Sequence, residues 1–131
     1  MGGVATNLQM KESMDYFKYY MPISGSLYWT TDAYANRSSY NAGKALQDAI
    51  TAQGYTRDDF FFYMSTGTED FAKSTVESMN KLNDFFTFGK PSEEGVNCCY
   101  GLGVGEGHNA HGRETAIYNA LPVLSALIGR E

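Results

Sequence analysis

Basic residues are scarce in this chain and nowhere clustered: 10 Lys and Arg stand against 15 Asp and Glu, for a net charge of -5. That balance makes nucleic acid and anionic membrane surfaces poor candidate partners, and neither is expected. No apolar stretch approaches the roughly 20 residues needed to span a bilayer, and the first residues form neither a basic n-region nor an apolar h-region. The sequence as written is therefore expected to be soluble and carries no address. Its only cysteines, Cys98 and Cys99, are neighbours. Adjacent side chains on a strand point to opposite faces, so free thiols are expected rather than a strained vicinal disulfide, and the redox compartment stays open. There is no internal repeat and no low-complexity tract.

What is present is apolar and aromatic. With 43% apolar and 15% aromatic residues over 131 positions, the chain is expected to form one domain, 1–131, with a real core. The opening Met1-Gly2-Gly3 suits a crowded turn, because glycine lacks a Cβ. "YFKYYMPI", Tyr16 to Ile23, reads as a buried strand closed by "SGS". A helix is predicted over Ser39 to Gln53, where Ala42, Leu46 and Ile50 fall at helical spacing and Gly54 stands at the C-terminal cap. Phe60 to Met64 gives a second strand. An amphipathic helix comes next, with Phe71, Val76, Met79, Leu82 and Phe86 on its pattern. "VNCCYGLGVGEGH" supplies a third strand, and "GRETAIYNALPVLSALIG" a last helix in which Pro122 should mark a kink or a boundary. Strands alternating with helices imply a parallel sheet flanked by helices, with ligand chemistry at the carboxyl ends of the strands, just after Ile23, Met64 and Leu102.

Two such ends carry titratable groups. Glu69 and Asp70 come after the second strand, where a carboxylate also favours a helix N-terminus. His108 and His111, the only histidines, fall in one loop after the third. A carboxylate and then a histidine, in that chain order, is the acid and base portion of a hydrolase triad whose nucleophile comes first. Other constellations are weaker. His108-x-x-His111 with Glu106 and Glu114 lacks both the H-E-x-x-H pattern and a cysteine quartet, so no metal and no other cofactor is expected. Glycines 101, 103, 105 and 107 imitate a dinucleotide loop without opening a helix, and read better as backbone room beside a site. A thiol nucleophile, Cys98 or Cys99 with His108, is disfavoured because both cysteines precede the end of their strand. Tyr28 and Trp29, past the first strand, are candidates for stacking on a phenolic or sugar ring, or for ordinary packing.

The esterase form of the nucleophile elbow continues as Ser-Met-Gly-Gly, and Met1-Gly2-Gly3 matches the three residues after that serine. The whole chain resembles the C-terminal part of an α/β-hydrolase of the feruloyl and acetyl-xylan esterase type, the first carbohydrate-esterase family. "MGGVAT" is similar to the end of the elbow, "FKYYMPISGSLYW" to the sixth sheet strand, "FFFYMSTGTEDFA" to the seventh with its acid loop, and "GLGVGEGHNAHGRETAIYNALPVL" to the eighth with the histidine loop and closing helix. The resemblance implies Asp70 as the acid, in preference to Glu69, and His108 as the base, in preference to His111. It places the amide of Met1 on one side of the oxyanion hole.

It also implies what the chain does and with whom. The parent reaction is serine-dependent hydrolysis of esters on plant cell-wall polysaccharides, or of small aryl esters, by an extracellular protein. The sequence starts just after the nucleophile serine, so little or no activity is expected of it alone. The alternative is a non-catalytic carbohydrate-binding or assembly module. The strand Tyr16 to Ile23 would lie at an exposed sheet edge, where self-association or pairing with a separate N-terminal half is expected.

Overall fold

A computed structural model describes residues 1–26, 41–82 and 84–129. In chain order it contains α1 (Gly2–Glu12), a 3₁₀ turn (Met14–Tyr16), β1 (Tyr19–Tyr20), α2 (Ala42–Ala52), β2 (Phe61–Gly67), α3 (Lys73–Asn80), β3 (Cys98–Gly103) and α4 (Ala110–Ile128). The strands form one parallel sheet in the order β1-β2-β3. The fold class and the alternation of strands and helices from β1 onward are those expected from the pattern of the sequence.

The central strand explains the two cores. All seven residues of β2 are buried, as in a parallel strand covered on both faces. Phe60, Phe62 and Met64 pack with Met10, Leu46, Ile50, Val76, Met79 and Phe86, so α1, α2 and α3 share one face. Phe61 and Tyr63 point the other way, against Ala120, Val123 and Leu124 of α4. Cys98 and Cys99 divide between the same two faces, and both are free thiols. Asn41 caps α2 by accepting from the Lys44 amide at 2.9 Å, and Gly54, at φ 87°, stands past its C-terminus as expected.

Four expectations are corrected. The opening glycines are not a turn but the first residues of the helix α1. Crowding is nevertheless their reason: a Cβ on Gly3 would strike the Ile23 carbonyl oxygen and come within 2.7 Å of the Gly25 Cα. The first strand is not buried throughout, since Tyr16 and Phe17 are 77% and 54% exposed and only Tyr19–Tyr20 form a continuous ladder. Pro22 has no N–H to give, and pairing returns at Ile23↔Ser65 in the same register. α3 begins at Lys73, which leaves Phe71 outside it. Pro122 neither ends nor divides α4, which runs without a break from Ala110 to Ile128. It lies on the exposed side, where water can serve the carbonyl it leaves without a partner.

Candidate functional site

The site is built where β2 and β3 end. The chain leaving β2 turns at once, with the Asp70 amide donating to the Gly67 carbonyl at 3.2 Å. Two backbone bonds tie this turn to the one after β3: Thr68 N to Gly103 O and Glu69 N to Glu106 O, each 3.0 Å. The Thr68 hydroxyl adds a third, accepting from the Gly105 amide at 2.9 Å. Only glycine fits at position 67, because a Cβ there would overlap the Glu106 carbonyl.

This joint sets an acid against an imidazole. Asp70 has a fully buried side chain and His108 a half-exposed one, and His108 Nδ1 lies 3.2 Å from Asp70 Oδ2 and 3.4 Å from Oδ1. Asp70 Oδ1 also accepts from the Ala72 amide at 2.9 Å, so the carboxylate orders the approach to α3 while it faces the ring. With Nδ1–H directed to the carboxylate, Nε2 is the nitrogen left for other chemistry. Phe71 stacks on the imidazole, ring centroids 4.8 Å apart and planes inclined 28°. The aromatic pattern had placed Phe71 on a core-facing helix; it is instead 48% exposed beside His108, and nothing in the sequence distinguished the two uses.

Glu69 is exposed and stands outside the pair. His111 is not a loop residue but belongs to the first turn of α4, where Nδ1 meets Glu106 Oε1 at 2.6 Å. Each histidine thus has its own carboxylate, and no three His, Cys, Asp or Glu among the described residues gather as metal ligands. Asn109 caps α4 by accepting from the Gly112 amide at 2.9 Å, which fixes the residue next to His108.

His108 opens into a cleft of about 280 Å³. Asn109 and Arg113 line it with His108, together with Met1, Gly2, Gly3 and Thr6 of the α1 end and Met21, Ile23 and Ser24 at the end of β1. Ser24 holds a left-handed backbone at φ 50°, unusual for a residue with a Cβ, and so turns the chain sharply at this strand end. Two residues expected at the site by resemblance, Met1 and His108, therefore share one cavity. Tyr28 and Trp29 lie outside the described residues. Burial raises both thiols above their ordinary range, and both begin β3 rather than end it, so neither is placed or charged to serve as a nucleophile here.

No family model matches the chain. Over 89 residues it is 32% identical to endo-1,4-beta-xylanase Y of Acetivibrio thermocellus, an alignment that covers 65% of this chain and 8% of that protein. A structure of FAE superposes with a TM-score of 0.71 at 26% identity, covering 92% of this chain and 41% of the other. A serine-to-alanine mutant of the feruloyl esterase module from Clostridium thermocellum, complexed with sinapinate, gives a TM-score of 0.72 with the same identity and coverage. The chain has the fold of the C-terminal part of a feruloyl-esterase-type α/β-hydrolase. The chain spans 41% of these solved chains and 8% of the xylanase, so it represents part of what they contain.

Proposed function

We propose that this chain carries the acid and base of a serine carboxylic ester hydrolase acting on feruloyl or acetyl esters of plant cell-wall polysaccharides. The buried Asp70 carboxylate facing Nδ1 of His108, which itself lines a cleft shared with Met1, is the observation that carries the reading. Asp70 holds the imidazole tautomer and stabilises the imidazolium. His108 accepts the serine proton, returns it to the departing alcohol, and then serves as base for the water that releases the acyl group. In this reading the serine directly precedes Met1 in the parent protein, and the Met1 amide is one donor to the oxyanion. The parent is extracellular. The open edge of β1 is where a further strand pairs, from a second copy or from the amino-terminal half of the fold.

Hydrolysis of aryl acetate and methyl ferulate tests this. The 131-residue chain is expected to be inactive, and the chain fused behind a serine-bearing half of the same fold to be active. In the fusion Asp70→Asn should lower kcat roughly 10⁴-fold, and His108→Ala at least as much. Full activity in either variant would remove the acid–base assignment. Robust hydrolysis by the 131 residues alone, abolished by His108→Ala, would show that they contain a nucleophile.

A further inference from the structure

The acid–base pair leaves Arg113 unexplained. This residue stands at the start of α4, four positions after Asn109, and lines the same cleft as His108. Its exposed side chain makes no hydrogen bond or ion pair among the described residues, and no Asp or Glu lines the cleft with it. The wall formed by Gly2 and Gly3 is the amino end of α1, which lacks a side-chain cap and so adds to the positive character of the space. A chain of net charge -5 thus keeps an unneutralised guanidinium beside a half-exposed imidazole. The planar donor fork of arginine matches a carboxylate through two parallel hydrogen bonds.

The position of the ring decides which part of an ester would bring that carboxylate. On the esterase reading above, on which this inference rests, the acyl oxygen lies against the amides at the α1 wall. The alcohol departs past His108, the group that protonates it. Asn109 follows His108 directly and Arg113 stands about one helical turn further on, both lining the same cleft, which sets them toward the alcohol. We propose that Arg113 binds a carboxylate on the alcohol portion of the substrate, so that the cleft selects esters carried by acidic, uronic-acid-substituted saccharides over neutral ones.

Binding to the 131-residue chain tests this without turnover, using a uronic-acid-bearing xylo-oligosaccharide and its neutral counterpart in an NMR titration. The acidic probe is expected to bind about 10-fold more tightly at low salt, in line with one charge-assisted bidentate contact. That preference should vanish in Arg113→Gln, persist in part in Arg113→Lys, and weaken as salt is raised. Equal binding of the two probes, or a preference that survives Arg113→Gln, overturns the proposal. So does a free phenolic acid whose affinity falls in Arg113→Gln while that of the acidic saccharide does not, because the guanidinium would then serve the acyl side. Hydrolysis of a neutral aryl ester by the serine-bearing fusion reads the esterase assignment separately, and its absence would leave the binding result standing.

Discussion

Asp70 shows how one side chain can satisfy two demands. A buried carboxylate is tolerated when its oxygens are hydrogen-bonded, and here one oxygen receives the Ala72 amide while the other faces His108. The bond to the Ala72 amide and the contact with His108 are therefore compatible at one carboxylate. A second buried polar group, Tyr20, has consequences for pH. Its hydroxyl donates to the Phe17 carbonyl at 2.8 Å, and burial first, then the neighbouring Tyr55, push its pKa up from 10.0 to about 12. The fold thus favours the neutral phenol, whereas the unfolded chain ionises it near its ordinary value. The stabilisation is complete below pH 10 and is lost as pH rises toward 12. Thermal melts across that window should show a falling Tm, with a shallower fall in Tyr20→Phe. Parallel slopes for the two proteins would refute the assignment to Tyr20.

Among the elements, α1 depends most on a single neighbour. Only Asn7 and Met10 are buried along it, yet its C-terminus must stay in place for Gly3 to line the cleft. Gln53, just after α2, supplies the anchor. Its Nε2 lies 2.7 Å from the Lys11 carbonyl and 3.1 Å from that of Met10, and its Oε1 accepts from the Met14 amide at 3.1 Å. Gln53→Ala is expected to cost about 1–3 kcal/mol, because it leaves inward-facing backbone groups without partners. Hydrogen exchange should report it as lost protection at Met14, and unchanged protection there would count against the clasp. Elements of this kind differ in how plainly they can be read. β2 was legible because a run of apolar residues bounded by polar turns suits a strand buried on both faces. α2 was legible from its spacing and Gly54. β1 was not, since its tyrosines and phenylalanines look alike whether they face the core or solvent, and Pro22 interrupts their ladder. The order of acid and histidine pointed to the pair, whereas Phe71 meets His108 across 37 residues of sequence that no local pattern records.

At the scale of the whole molecule, the sheet and its helices leave apolar surface uncovered. β1 is an edge strand, and on α4 Ile117, Leu121 and Ile128 are 42%, 55% and 56% exposed. A groove of about 310 Å³ bordered by Phe17, Tyr19 and Met21 runs between β1 and α1. Surfaces of this sort recruit partners. The 131-residue chain is therefore expected to self-associate as its concentration rises, read by light scattering, with β1 amides gaining protection from exchange. A monodisperse monomer with an ordered β1 would argue against association through this edge. The joint between the Gly67 and Glu106 backbones carries a different consequence. It ties the two turns together through two main-chain bonds and the Thr68 hydroxyl, all within this chain, so the spacing of Asp70 and His108 is set by contacts the 131 residues make themselves. On the proposed reading, acid and base form a prefabricated cassette, and a split enzyme made in two pieces would have to bring its serine and its oxyanion donors to it.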